Sequence, residues 1–356
     1  MVLTVHGDDF TIAGSTATLK WVKKEFEKRF EVTTHILGPE AGQEREVRIL
    51  NRVIRWTKDG LEYEPDQRHS EIAIRELGLE GARAVTTPGT KEELALAGVQ
   101  EVASKASPVP AACLMPPAKA TRYCGITARL NFLAQDRVDL QYACKEASRR
   151  MAKPQLSDWA ILKRIGRYLV GCPRYVQKLP WQSVPVRLDT YTDSDWAGCK
   201  ATCRSTSGGV VRLGEHCLKT WSSTQATVAL SSAEAELYAL TKGAAQALGM
   251  LSLLADFGVT LDATVHTDAS AAIGILRRKG LGKIRHLNVR YLWLQDQTRT
   301  GTNLGIAKVP GFDNPADIVT KFLNSDAAQR HLDKLPGGCG GGQEAARGKR
   351  QGRLGR

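Results

Sequence analysis

Asp193, Glu236, Asp268 and Asp317 are spaced so that each falls where a strand ends or a helix begins. Carboxylates gathered at such places suit a pair of divalent cations, which activate a water and stabilise the leaving oxygen when a phosphodiester is cut. Taken singly, each acid has a plain explanation. Asp193 or its neighbour Asp195 could be a strand-end turn residue, Asp268 a helix cap, and Asp317 a dipole-compensating acid. Together in one compact stretch they point to a shared site. Like charges that close raise each other's pKa unless cations neutralise them. An all-oxygen ligand set favours Mg²⁺ or Mn²⁺, two ions, over zinc.

The elements that must position these acids begin at Val186 and read β-β-β-α-β-α-β-α. The first strand, Val186 to Asp195, alternates Leu188, Thr190 and Thr192 against Asp189, Tyr191 and Asp193. Ser207 to Leu213 and Cys217 to Trp221 follow at hairpin distances. Ser231 with Glu234 three residues on is a capping box, which accounts for Glu234 structurally. Glu236 is different: it falls on the helix face of Leu240, Gly243 and Ala247, where an acid is costly unless it binds something. The strand Ala263 to Thr267 delivers Asp268 at its carboxyl end, where open α/β sheets place ligands. Asn314-Pro315-Ala316-Asp317 reads as the N-cap, N1, N2 and N3 of the last helix, with Asp317 at its positive end. Period two puts Asp195 on the same sheet face as Asp193, so it stays a rival first ligand.

Upstream, Val2 to Ile12 reads as two apolar strands joined by a Gly-Asp-Asp turn. Ser15 precedes an amphipathic helix with Leu19, Val22, Phe26 and Phe30 on one side. Val53–Trp56 and Leu61–Tyr63 flank an Asp59-Gly60 turn, and Pro65-Asp66 begins a short helix through Leu77. The prolines of residues 88–119 mark a linker. Helical patterns then run over roughly 120–150 and 157–171, the second with Lys163, Arg164 and Arg167 outward, a face open to phosphate contact. The tail from Pro336 is glycine-rich and basic, and is expected to be disordered.

The chain has 356 residues, 42% hydrophobic and 24% charged, with a formal net charge of +13. That length suits two or three domains, and that charge suits a polyanionic partner, of which nucleic acid is the commonest. No apolar run approaches the roughly 18 residues of a membrane span, and the N-terminus lacks a signal peptide, so a cytoplasmic or nuclear protein without a membrane partner is expected. The eight cysteines show no C-x-x-C pair, and reduced thiols are the expectation. Cys199, Cys203, His216 and Cys217 match no common zinc module.

Residues 186–335 resemble the ribonuclease H domain of copia-type retrotransposon Pol polyproteins. The resemblance rests on Tyr-Thr-Asp-Ser-Asp-Trp-Ala-Gly (191–198), Arg-Ser-Thr-Ser-Gly-Gly (204–209), Val-Ala-Leu-Ser-Ser-Ala-Glu-Ala-Glu (228–236), Thr-Asp-Ala-Ser-Ala-Ala-Ile (267–273), Arg-His-Leu-Asn-Val-Arg-Tyr (285–291) and Asn-Pro-Ala-Asp-Ile-Val-Thr-Lys (314–321). It implies an α/β fold with a mixed five-stranded sheet and flanking helices. It implies Asp193, Glu236, Asp268 and Asp317 as metal ligands, and cleavage of the RNA strand of an RNA–DNA hybrid read mainly by its backbone. Arg204, Ser205, His286 and Arg290, within the matching segments, are candidates for substrate contact, although a packed or surface role is the plainer reading of His286. Many cellular ribonucleases H carry a histidine in the loop before the last acid; Val309 to Asn314 holds none.

The upstream part resembles the rear of the same polyprotein's reverse transcriptase. His6-Gly7-Asp8-Asp9 stands where that family has an aromatic-x-Asp-Asp hairpin, which makes Asp8 and Asp9 a relic metal-binding pair. Phe26–Val32, Ile49–Arg52, Thr87–Gly89, Arg122-Tyr123 and Met151–Pro154 also match. The palm strand with the third polymerase aspartate is expected to be missing, so nucleotide addition should fail. The resulting organisation is a truncated reverse transcriptase palm/thumb remnant (1–87), linker (88–119), helical connection (120–180), ribonuclease H-like domain (186–335) and basic tail (336–356). An intact reverse transcriptase or other polyprotein parts are possible partners. The rivals are a catalytically inactive nucleic-acid-binding remnant, and an integrase- or exonuclease-type enzyme on the same fold.

Overall fold

The computed structural model describes residues 1–92, 113–280, 289–299 and 303–340. The chain begins with an antiparallel hairpin, β1 (Val2–His6) and β2 (Asp9–Ala13). Gly7, with φ +59°, occupies the first central position of the two-residue turn, which a primed hairpin turn assigns to glycine. Ser15 caps α1 (Thr16–Glu27), its hydroxyl accepting from the Thr18 N–H at 3.3 Å. Only Val22 of that helix is buried, and Phe30 lies beyond its end.

Three strands follow, β3 (Glu46–Ile49), β4 (Arg52–Trp56) and β5 (Gly60–Glu64), then α2 (Arg68–Glu76). The connection holds α3 (Pro117–Leu133), α4 (Val138–Ser148) and α5 (Trp159–Gly171). The single helix expected over 120–150 is therefore two. It breaks at Arg137, which takes an extended conformation. Its buried guanidinium bonds the Asp139 carboxylate and the Cys172 carbonyl, tying the break to the end of α5.

Residues 174–180, expected to be helical connection, form a strand, β6 (Arg174–Pro180), which pairs with β5. The glycine run expected to be disordered also contributes: β12 (Gly337–Gly340) pairs with β6. These strands make an antiparallel sheet of order β12-β6-β5-β4-β3. Cys172 and Cys339 are joined as a disulfide beside it, a correction to the expectation of wholly reduced thiols. The outward basic face of α5 is partly spent inside the molecule. Arg164 bonds the Thr87 carbonyl and Arg167 the Arg83 carbonyl.

The second five-stranded sheet has the order β11-β10-β7-β8-β9, from β7 (Arg187–Asp195), β8 (Thr206–Leu213), β9 (His216–Thr224), β10 (Asp262–Thr267) and β11 (Leu304–Lys308). The first three run antiparallel as a meander. β10 and β11 are then added parallel to β7 through helical crossovers, giving the mixed sheet of the ribonuclease H-like fold. The crossovers are α6 (Ser232–Asp256), then α7 (Ser270–Arg277) and α8 (Trp293–Arg299).

The alternation in β7 explains how the sheet is covered. Leu188, Thr190 and Thr192 are fully buried beneath α6, where Leu237, Leu240, Ala244 and Ala247 complete the core with Val265 of β10. Each fully buried leucine stabilises the packing by roughly 1.5–3 kcal/mol. Gly243 lets helix and sheet approach closely, because a Cβ there would collide with Thr192. The other face is covered by a short 3-10 turn, Pro315–Val319, by α9 (Ser325–Asp333) and by α4 of the connection. Gln141 of α4 donates to Thr220 Oγ1 at 2.7 Å and Lys145 to Thr206 Oγ1 at 2.7 Å, so the connection is seated directly on the nuclease-like sheet.

Candidate metal centre

The sheet ends, rather than the loops, bring the acids together. Asp193 lies near the carboxyl end of β7, and Asp268 directly follows the parallel neighbour β10. Glu236 comes from the first turns of α6. Ser231 caps that helix by accepting from the Glu234 N–H at 3.2 Å, and Glu234 reaches back to the Leu230 N–H at 2.8 Å, one residue before the cap. With its start fixed, α6 places Glu236 over the end of β7, where Glu236 Oε1 accepts from the Ser194 N–H at 3.1 Å.

Ligand oxygens of Asp193, Glu236 and Asp268 all lie within 4.8 Å of one another. Asp317 stands on the far side of Asp193, bridged to it by Lys321: the ammonium is 2.9 Å from Asp317 Oδ1 and 3.6 Å from Asp193 Oδ2. The Thr320 hydroxyl donates to Asp193 Oδ2.

Asp317 belongs to the 3-10 turn, not to the last helix as expected; α9 begins only at Ser325. The turn is held by Asn314, whose buried amide donates to the Thr192 carbonyl at 2.9 Å while its oxygen caps Ala316. Gly208 makes the close seat possible. It pairs with Asp193 across β7 and β8, and a Cβ there would lie 2.5 Å from Thr320 Cγ2 and 2.8 Å from Val319 Cγ2.

Asp195 does not join the cluster. Its carboxylate accepts from the Thr206 N–H and faces Lys145 and Glu146 of the connection, so it ties the following loop to β8. Ser205 is likewise an internal brace: fully buried, it accepts from the Ala197 N–H at 3.0 Å and offers nothing to a substrate surface. Arg204 is exposed on the same loop. Arg290 falls in the 3-10 turn Val289–Leu292, and His286 lies outside the described residues. Asp8 and Asp9 sit exposed at the N-terminal hairpin. Among the described residues no third acid joins them, nor do Cys199, Cys203, His216 and Cys217 gather as a metal group.

Burial and mutual repulsion govern the acids. Burial first, then the Asp317 charge, pushes Asp193 up to about 6, against the pull of Lys321 and Thr320. Burial, then Asp193 and Asp268, pushes Glu236 up to about 8. Asp268 is raised by burial and by Asp193. Glu236 Oε2 is buried and accepts no hydrogen bond. An orphaned carboxylate oxygen aimed among two further carboxylates fits a divalent cation with oxygen ligands, because a cation removes both the desolvation cost and the repulsion.

Sequence reasoning missed two neighbours of Asp317. Lys321 lay within a quoted motif without a role. His331 arrives from α9, its Nε2 4.0 Å from Asp317 Oδ2. Burial, helped by nearby Lys334, Arg330 and Lys321, pushes that imidazole down to about 4, so it is neutral in ordinary buffers. No local sequence signal links α9 to the site, since packing alone delivers it.

No family model matches the chain. It is 32% identical over 229 residues to the retrovirus-related Pol polyprotein from transposon RE2 of Arabidopsis thaliana, covering 62% of this chain and 16% of the relative. The corresponding polyprotein from transposon TNT 1-94 of Nicotiana tabacum is 25% identical over 331 residues, covering 91% of this chain and 23% of the relative. The chain is a homologue of the retrovirus-related Pol polyproteins of plant transposons. The chain spans less than a quarter of the length of either relative. Among solved structures it is similar to LC11-RNase H1 in complex with an RNA/DNA hybrid, at 18% identity and a TM-score of 0.28, covering 41% of this chain and 99% of that one. No helix among the described residues is long and apolar enough to cross a membrane.

Proposed function

We propose that this chain is a divalent-metal-dependent ribonuclease H-type endonuclease that cuts the RNA strand of RNA–DNA hybrids. The observation that carries the reading is the convergence of Asp193, Glu236 and Asp268 around the unpartnered Glu236 Oε2, with Asp317 flanking Asp193. Asp193, Glu236, Asp268 and Asp317 are the residues that would hold Mg²⁺ or Mn²⁺. When bound, a pair of such ions would supply an activated water and charge stabilisation for the leaving oxygen.

The chain's own residues do the rest. Thr320 and the Ser194 N–H fix the Asp193 and Glu236 carboxylates in place. Asn314 locks the turn that presents Asp317. The hybrid's backbone is the proposed partner, drawn by the net charge of +13, with Arg204 exposed on the loop before β8. The upstream part we read as belonging to a reverse transcriptase, with Asp8 and Asp9 exposed at its hairpin. Exposed Leu3, Val5, Phe10 and Trp21 there would suit packing against other polyprotein parts.

The test is incubation of the purified chain with an end-labelled hybrid, an RNA duplex and a DNA duplex, each with Mg²⁺. Internal cuts confined to the RNA of the hybrid are expected. Binding that weakens steeply with salt but yields no Mg²⁺-dependent product would instead mark an inactive nucleic-acid-binding remnant.

A further inference from the structure

Asp193 is shared by two neighbourhoods. On one side are Glu236 and Asp268; on the other are Asp317 and the Lys321 ammonium, which lies against both Asp193 and Asp317. Each neighbourhood holds a buried carboxylate oxygen outside the hydrogen-bond network, Glu236 Oε2 in the first and Asp317 Oδ1 in the second, but only the Asp317 oxygen has an ammonium against it, at 2.9 Å. In the second, Lys321 already supplies a positive charge to the two carboxylates. Its side chain is 38% exposed, and it lines a cleft of about 1100 Å³ together with Phe322, Ser325, Gln329 and Tyr142. The ammonium therefore has somewhere to go.

We propose that Lys321 holds the place of the second cation: the chain takes one divalent ion between Asp193, Glu236 and Asp268 readily, and a second only by displacing the lysine toward the cleft. This rests on the proposed metal centre. The physical ground is charge. Two carboxylates that already share an ammonium gain less from a divalent ion than two that share nothing, and the ion must also break both ion pairs. Divalent-ion concentration would then gate the site, with the fully loaded form appearing at concentrations well above those that fill the first position. Lys321 is a specificity-setting residue in this scheme, since it decides how many ions bind.

The experiment is Mn²⁺ binding to the full chain, by titration calorimetry and by the paramagnetic resonance signal of free Mn²⁺, with no nucleic acid present. Wild type is expected to show one strong and one weak site, separated by at least about tenfold. Lys321→Met and Lys321→Gln should each strengthen the weak site by at least about tenfold, while Lys321→Arg, which keeps the charge, should not. Two neutral variants guard against one failing to fold, and thermal unfolding with and without Mn²⁺ checks both. A second site unchanged or lost in both folded neutral variants overturns the lysine's role, as does the absence of Mn²⁺ binding in every protein. Asp268→Asn separates the two ideas: if the strong site survives that change, the metal centre itself is misplaced, whatever Lys321 does.

Discussion

The molecule carries two groups of carboxylates that a sequence alone would mark for metal chemistry, and they differ in almost everything except the charge they can carry. Asp8 and Asp9 sit at a hairpin whose turn and flanks are exposed, on a two-stranded sheet with almost no core of its own. Asp193, Glu236, Asp268 and Asp317 are drawn from two parallel strand ends, a helix start and a braced 3-10 turn. There Asp193 is only 4% exposed and Glu236 9%. Adjacent carboxylates cost little in water and can be fixed by any turn. Carboxylates from four elements, held together below the surface, cost a great deal unless something positive shares the space. Convergence under burial, rather than acidity, distinguishes the candidate site.

The comparison breaks most visibly in cleavage. Asp268→Asn should lower Mg²⁺-dependent hybrid cutting by at least about a hundredfold, since losing even an indirect partner of a metal ligand costs about 10–100-fold. Asp8→Asn and Asp9→Asn should stay within about twofold of wild type in the same gel assay. Equal losses at both places would dissolve the contrast.

Stability should sharpen it next. Without divalent ions, folding keeps protons on Asp193 and Glu236 that the unfolded chain releases near their ordinary values of 3.8 and 4.5. The native state then binds more protons, so stability falls as pH rises from about 4 through about 8. Melting curves across that range in EDTA should slope downward, and Mg²⁺ should flatten them. Glu236→Gln should remove the upper part of the slope and raise the ion-free melting temperature at pH 8 by at least about 2 °C, while cleavage is lost. A pH-independent melting temperature in EDTA would contradict the burial of these acids.

The smallest effect concerns where the nuclease-like unit stops. Gln141→Ala in α4 deletes the bond to Thr220 and should cost about 1 kcal/mol in denaturant unfolding. If α4 belongs to the same cooperative unit as the sheet, that loss will shift the transition of the nuclease-like part. If it does not, only the upstream part will respond.

Much of the site was legible because strand and helix periodicities are local. Alternation in β7 placed Asp193 at a strand end, and the Ser231 cap set the phase of α6 and thus the face of Glu236. Asp193 and Asp195 could not be separated by period two. What separates them is tertiary: Thr206 and Lys145 claim one, Thr320 and Lys321 the other. His331 was invisible for the same reason. The strand β12 escaped because a glycine run pairs through its backbone and leaves no side-chain pattern to read. The loss of a continuous helix at Arg137 follows from a buried guanidinium that local spacing does not reveal.

β12 has a practical consequence. Because this short run returns to pair with β6, a fragment ended at residue 335 would leave the edge of β6 uncovered, and one begun at residue 186 would strip α4 from the face of the mixed sheet that it covers. Unpaired strand edges invite association between copies. The smallest piece worth purifying therefore starts upstream of the helices of the connection and runs past Gly340, so that both sheets stay covered.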